Sequence, residues 1–395
     1  MKILMVNNQL SVLGGSETYM FSIGEELTNR GHDVQYFGTP DPDRRHGNSF
    51  HIYAKRSLNP FSFKINRYNV KQFAKILDLF EPDIVHINLM YFVLTPEIIN
   101  EASKRNIPIV HTVHDPKIVC PNHRLYISQR NEPCMRCLNN GLNNCVKNKC
   151  IKNSGLLSRI AVDETEHYRK KGLYKKIDIF IFPSLFMKNI HIGHDVDEKR
   201  SVVIHNFSRI KKETFLDNQK FDDKYVLYFG RVSTEKGMSI LADVIKNTPN
   251  IKYKIAGDGD CKNLFEHLDN CELLGFLSGG ELVKTIKNAS ICVFPSIWYE
   301  NCPMSVLESK ALGTPPIGAR IGGIPELIED GETGFLHNPA DSNDLRLKIE
   351  TLFFNDDLLK QMSENCVTTL SMEDLGGYIS KLEKIYCDLI NQHKS

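Results

Sequence analysis

Ile291-Cys-Val-Phe294, followed by Pro295-Ser-Ile-Trp-Tyr-Glu300-Asn-Cys-Pro303-Met-Ser-Val-Leu-Glu308-Ser-Lys-Ala-Leu-Gly313, passes from an apolar run through a polar loop into a helical pattern. The run has the length and composition of a buried strand. Pro303 stands where a helix can begin, since the N–H it lacks would have no partner in a first turn. Glu300 therefore falls in the loop at the strand's C-terminal end, and Glu308 in the first turns of the helix. Open α/β sheets bind their ligands at such ends. The helix N-terminus over Pro303, Met304, Ser305 and Val306 suits a phosphate, and a carboxylate on each side suits sugar hydroxyls. Spacing alone equally allows two solvated charges at a helix end, so the surrounding loops have to decide.

Outward from this stretch, strand and helix alternate. Strands are predicted at 225–229, 253–256, 271–274 and 314–317, with helices at 239–246, 264–268 and 281–288. The N-terminal half repeats the pattern, with strands at 3–6, 33–37, 83–87, 108–113, 177–182 and 201–204 and helices at 16–29, 70–80 and 97–105. Such βα repetition predicts an α/β protein with doubly wound, mostly parallel sheets. A polar stretch, Asn206 to Asp223, reads as a linker. It divides the chain into domains 1–205 and 206–374, and the amphipathic C-terminal segment 375–395 is expected to pack back on the first domain.

The loops after the predicted strands share a chemistry. Gly230-Arg231-Val-Ser-Thr-Glu-Lys236-Gly237 offers a guanidinium fork and a mobile ammonium that can converge on one diphosphate. Ala256-Gly257-Asp-Gly259 and Gly322-Gly323-Ile-Pro325-Glu326 are further Gly-rich turns at the same sheet edge. In the first half, Gly14-Gly15-Ser16-Glu17 opens a helix and allows close backbone approach to an anion. It lacks the G-x-G-x-x-G spacing of a dinucleotide site, so NAD binding is not indicated. Each loop alone is also readable as a plain turn; several at the strand ends of one half argue for a nucleotide-diphosphate site. His111 and His114 stand three apart at another strand end, so strand alternation sends at most one to the ligand side. His114, followed by Asp115, is the candidate.

Composition narrows the class. The chain has 395 residues, enough for two domains, and a net charge of +1 gives no general case for nucleic-acid binding. The segment Met1 to Val6 is too short for a signal peptide, and no apolar run nears the ~20 residues of a membrane-spanning helix. A cytoplasmic protein is expected, able to touch the inner face of a membrane.

Gly230-Arg231 with Lys236-Gly237, the Glu300 and Glu308 pair, Gly313, and Gly322-Gly323 with Glu326 together resemble the retaining glycosyltransferases of family 4. Gly14-Gly15-Ser16-Glu17, His114-Asp115 and Phe182-Pro-Ser184 extend the resemblance into the first half. The resemblance implies the GT-B architecture, two Rossmann-like domains facing a cleft. It implies a C-terminal domain for the nucleotide sugar and an N-terminal domain for the acceptor. It gives Arg231 and Lys236 the diphosphate, Glu308 the ribose, and Glu300 the donor sugar. Backbone amides from Pro303 to Val306 would meet the donor, Gly257 would line its site, and Gly14 and Gly15 would approach the diphosphate from across the cleft. His114 would polarise or position the sugar. No metal or cofactor is implied for catalysis, because cations and helix N-termini stabilise the leaving phosphate. The sequence departs at Lys310, where the family is usually apolar, expected to face solvent.

Eleven cysteines occur, five of them between residues 120 and 150. Cys134-Met-Arg-Cys137, with Cys145 and Cys150, has the spacing of a structural zinc site, leaving out Cys120 beside the active-site loop. Disulfides, free thiols or an iron–sulfur cluster remain open to the same residues. The segment has few apolar side chains with which to build a core. Similar family members carry a Cys-Pro step and a Cys-rich insert after His-Asp, which implies an acceptor-side feature. Lys147, Lys149, Lys152, Arg159 and the run Arg169 to Lys176, interleaved with Leu156, Leu157, Ile160 and Tyr174, can meet anionic lipid headgroups or form a solvated helix face.

The resulting expectation is a metal-independent, retaining hexosyltransferase that uses a nucleotide-diphosphate sugar. Its acceptor would be a glycan or lipid-linked molecule of cell-surface polysaccharide or glycoconjugate synthesis. The alternatives are a nucleotide-sugar epimerase of the same fold and a non-catalytic, zinc-stabilised interaction protein.

Overall fold

A computed structural model describes residues 1–11, 14–41, 46–56, 66–210, 222–368 and 374–394. The expected 206–223 linker lies largely outside them. The chain divides into two compact units, one made of 1–125, 134–206 and 375–395, the other of 126–133 and 207–374.

The first unit is built on β1 (Lys2–Gln9), β2 (Asp33–Thr39), β3 (Ile84–Ile87) and β4 (Ile109–Thr112). Two short strands, β5 (Tyr126–Ile127) and β6 (Glu132–Pro133), pair antiparallel and cluster with the second unit. β7 (Ile179–Phe182) and β8 (Ser201–Val203) complete the first sheet, in the order β2-β1-β3-β4-β7-β8 with every pairing parallel. A parallel sheet is covered on both faces, which is why its strands read as continuous apolar runs. Ile3, Leu4, Met5 and Val6 have no exposure. Flanking helices are stopped by local chemistry. Asn66 caps the Arg67–Phe80 helix by accepting from the Asn69 N–H, and Glu81, left-handed before Pro82, ends it.

The second unit contains β9 (Val226–Phe229), β10 (Tyr253–Ala256), β11 (Cys271–Gly275), β12 (Ile291–Phe294), β13 (Pro316–Ala319) and β14 (Phe335–His337). Their order is β11-β10-β9-β12-β13-β14, again all parallel. Strand β14 and the helices Ser342–Phe353 and Asp356–Thr368 were not expected; the strand is only three residues long, and each helix buries one face, Leu345, Ile349 and Leu352 in the first and Leu359, Met362 and Cys366 in the second. The helix expected at 264–268 shrinks to one turn, Lys262–Leu264.

Strand order fixes where a ligand can sit. In the second sheet, the order of strand addition reverses between β9 and β12, and in the first between β1 and β3, while all strands stay parallel. At such a reversal the following connections leave on opposite faces and open a crevice at the strands' C-terminal ends.

Candidate active site

In the second unit, the loops after β9 and β12 border that crevice. They carry Arg231 and Lys236 on one side and Ser296, Trp298 and Glu300 on the other. A concavity of about 330 Å³ is lined there by Gly230, Arg231, Lys236, Ser296, Glu300 and Ser305 among others. Lys236 Nζ lies 2.6 Å from Glu300 Oε1, and Ser296 Oγ donates to the same oxygen at 2.6 Å. Burial alone would raise the Glu300 carboxyl, but the Lys236 charge and the hydrogen bonds from Lys236 and Ser296 hold it below its ordinary value. Glu300 is therefore an ionised, buried acceptor aimed beside an ammonium that keeps N–H groups to offer.

Arg231 is steadied from its own loop. Its guanidinium pairs with Glu235 at 2.9 Å, and its carbonyl accepts from the Tyr228 hydroxyl at 2.6 Å. Trp298 lies beside both cations, its ring centre 5.4 Å from Lys236 Nζ and 6.0 Å from the Arg231 guanidinium carbon. Two cations on one loop facing an aromatic plane on the other make an arrangement able to hold a diphosphate and an adjoining ring. Trp298 and Ser296 were missed in the sequence, although the chain's single tryptophan inside a β12 loop was a signal that could have been used.

Close backbone packing brings these loops together. Gly257, with φ +155°, packs so tightly that a Cβ there would stand 1.8 Å from the Gly230 carbonyl oxygen. It supports the Arg231 loop and is not among the concavity's lining residues. Gly322, with φ +62°, would place a Cβ 2.2 Å from the Glu300 carbonyl oxygen, and the Gly323 N–H donates to that oxygen at 2.8 Å.

The helix beyond Glu300 runs Met304–Ala311, with Pro303 at its N-cap. Pro303 and Ser305 reach the concavity; Met304 and Val306 do not line it. The Val306 N–H turns back to the Pro303 carbonyl at 3.2 Å and its side chain is buried. Glu308 lies outside the lining set. It is buried, 3.7 Å from Arg209, and desolvation raises its carboxyl although Arg209 pulls the other way. Lys310 corrects the expectation of a surface lysine. It is 3% exposed, donating to the Leu327 carbonyl at 2.7 Å and pairing with Glu329 at 2.8 Å.

In the first unit, Gly14 caps the Gly15–Asn29 helix. Asn8 Oδ1 accepts from the Tyr91 and Leu94 amides, at 3.1 and 3.3 Å, and so shapes the loop after β3. Asn88 Oδ1 meets His114 Nε2 at 3.1 Å, while Asn88 Nδ2 is buried without a hydrogen-bond partner among the described residues. His111, His114, Asp115, Lys117, Asn88, Tyr91 and neighbouring apolar groups line a partly open cavity of about 280 Å³, solvent space included. Both histidines line it, against the alternation argument. Strand β4 ends at Thr112, so His114 no longer obeys the pleat. Desolvation lowers both imidazoles, His111 to about 4 and His114 to about 3, the latter helped by repulsion from His111. Desolvation also raises the enclosed Asp115 carboxyl to about 6, against the Lys117 N–H and charge. Lys117 itself pairs with buried Glu164 at 2.8 Å.

The cysteine segment has an apolar centre after all: Leu142, Cys145 and Val162, with Cys137, Val146 and Cys150 packed against them. The helix Asn143–Lys147 ends with Lys149 left-handed, the Lys149 N–H bonding the Val146 carbonyl and the Cys150 N–H the Cys145 carbonyl. That Schellman closure brings the Cys145 and Cys150 side chains together. Among the described residues, no group of three or more His, Cys, Asp or Glu is placed to hold a metal ion, so the Cys134, Cys137, Cys145 and Cys150 geometry does not support the expected zinc. Cys120, set aside earlier, is buried, and the Leu125, Arg124 and Asn122 amides bond its sulfur. On the basic surface, Leu156 is 72% exposed, whereas Tyr174 is buried and lines the cavity above. No helix among the described residues is long and apolar enough to cross a membrane.

Two parallel-sheet α/β units, with a paired cation–carboxylate crevice in the second, define the GT-B class. The Anabaena protein HepE in complex with UDP superposes with TM-score 0.70 at 17% identity, covering 98% of this chain and 100% of that one. Residues 13–209 match the family described as Glycosyltransferase Family 4, and residues 210–367 match Glycosyl transferases group 1. The chain belongs to the glycosyltransferases of the family 4 type. An uncharacterised glycosyltransferase of Methanocaldococcus jannaschii is 32% identical over 44% of this chain, a match that spans about half (51%) of that relative. The alpha-monoglucosyldiacylglycerol synthase of Streptococcus pneumoniae is 25% identical over 98% of this chain and 85% of its own length.

Proposed function

We propose that this chain transfers a hexose, with retention, from a nucleotide-diphosphate sugar to a glycan or lipid-linked acceptor in glycoconjugate synthesis. The observation that carries the reading is the Lys236–Glu300 pair set beside Arg231 at the reversal of the second sheet. A UDP complex of HepE and the α-linked glycolipid product in the pneumococcal relative's name agree with a nucleotide donor and with retention.

In this reading, Arg231 takes the diphosphate as a fork and Lys236 as a point charge, stabilising negative charge as the sugar–phosphate bond breaks. Ser305, in the first helical turn, lies on the same side, and these groups supply what a metal would otherwise provide. Glu300 accepts from the sugar hydroxyls, and buried Glu308 from the ribose. The acceptor hydroxyl attacks the anomeric carbon on the face the nucleotide leaves, and its proton passes to the departing phosphate oxygen. In the first unit, the unpaired Asn88 amide and the Asp115 carboxyl offer a donor and an acceptor to hydroxyl groups, and neutral His114 can hydrogen-bond a sugar without adding charge. Exposed Leu156 among basic residues would place a lipid-linked acceptor at a membrane surface.

The test is hydrolysis and binding of UDP-glucose, UDP-N-acetylglucosamine and GDP-mannose by the full chain, with and without chelator. Turnover of one of them that persists in chelator supports the reading. Absence of both binding and turnover across the three overturns it.

A further inference from the structure

The helix Leu375–Lys394 belongs to the first unit and places Tyr378 and Tyr386 two turns apart on its buried face. The Tyr386 hydroxyl meets His86 Nδ1, and His86 Nε2 meets Thr112 Oγ1 at 2.8 Å. Thr112 Oγ1 lies 3.2 Å from the Tyr19 hydroxyl, which in turn meets the hydroxyl of Tyr378. None of these five side chains is more than 1% exposed. One relay of protons satisfies every link: Tyr386 donates to His86, His86 to Thr112, Thr112 to Tyr19, and Tyr19 to Tyr378. Such chains polarise one another, and breaking one link strands its neighbours in a low-dielectric core.

Apolar side chains of the same shape would bury this helix equally well. What the hydroxyls add is a single register for the helix and a single rotamer for Tyr19. That rotamer matters because the Tyr19 ring stands edge-on to His114, with centroids 4.7 Å apart and planes at 75°. On another side, Asn88 Oδ1 holds His114 Nε2. His114 is thus clamped between a carboxamide and a ring whose own position is fixed from the far end of the chain.

We propose that Tyr19 and Tyr378 are positioning residues: through their paired hydroxyls, the C-terminal helix sets the orientation of His114 for sugar transfer. The proposal rests on the assignment of His114 above.

The test uses the full chain and the nucleotide sugar it turns over among the three named. Tyr378→Phe keeps the ring and removes the hydroxyl. It is expected to lower kcat roughly tenfold, as for a small misplacement of a reacting group, with donor KM little changed. In a His114→Ala background, Tyr378→Phe should cause no further loss, and the His114 ring resonances should shift in the single variant. Unchanged kcat, or the same fractional loss in both backgrounds, overturns the positioning role while leaving His114 its function. Wild-type turnover by His114→Ala overturns both assignments and spares the donor site. If Tyr378→Phe does not fold, Tyr19→Phe takes the same comparisons, because it leaves the helix's own side chains intact.

Discussion

Lys236 Nζ and Glu300 Oε1 stand 2.6 Å apart across the reversal of the second sheet, joining the loop after β9 to the loop after β12. The pair sets the charge of the crevice before any ligand arrives. It also holds the Glu300 carboxyl below its ordinary value.

Glu300→Gln should preserve the fold, because the amide can still accept from Ser296, yet lower kcat on the order of 10²–10³-fold. Steady-state kinetics on the preferred nucleotide sugar decides this; a near-normal kcat would remove Glu300 from the reaction.

Lys236→Met should change the acid limb of the pH profile. Lys236 holds the Glu300 carboxyl below its ordinary value while burial pushes it up, so without the ammonium burial prevails. The same shift bears on stability. A depressed carboxyl stabilises the fold above its unfolded pKa, and that contribution fades as pH falls through the folded one. The variant should lose activity at a higher pH than the parent and show less acid-dependent loss of stability. Rate and melting profiles from pH 4 to 8 would show it.

Arg231→Ala should weaken nucleotide-diphosphate binding by about 2 kcal/mol, the scale of a charge-assisted hydrogen bond, and flatten its salt dependence. Titration calorimetry with UDP and GDP at two salt concentrations measures both. Equal affinity in parent and variant would place the diphosphate elsewhere.

Gly322→Ala tests the backbone under Glu300. Its left-handed φ and the 2.2 Å approach to the Glu300 carbonyl predict a loss on the order of 1–3 kcal/mol in denaturant unfolding. Turnover of the folded fraction should fall as well, since the relief of that contact moves Glu300.

Asp115→Asn should stabilise the protein at neutral pH. The carboxyl is raised to about 6, so the folded state is penalised as pH rises from about 4 to 6, where the native side chain must ionise in a desolvated site. Parent and variant should melt alike below pH 4 and diverge above 6, and the variant's activity with acceptor should lose its dependence on that range.

Much of this was readable in the sequence. Buried parallel strands are short apolar runs bounded by turn residues, so β3, β10 and β12 emerge directly, within a residue of their ends, while β1 runs three residues further, through the polar Asn7, Asn8 and Gln9. Lys236 and Glu300 were legible because loop chemistry follows each strand in order. Trp298, Ser296 and Asn88 were not, since their importance comes from which loops the strand order sets side by side. Lys310 was misplaced for the same reason: its partners, Leu327 and Glu329, are remote along the chain and near in space. His111 and His114 show the limit of periodicity, which holds only while the strand lasts.

The helix that carries Tyr378 completes a unit begun at Met1, after the whole of the second unit has been interposed. At the roughly 5–20 residues per second of ribosomal synthesis, the first sheet emerges many seconds before its last covering helix. Until then His86 lacks Tyr386 and Tyr19 lacks Tyr378, and one apolar face stands open to water. During synthesis the first-made half thus stays unfinished until this helix has emerged, and a polypeptide stalled before Leu375 would leave that half exposed to aggregation.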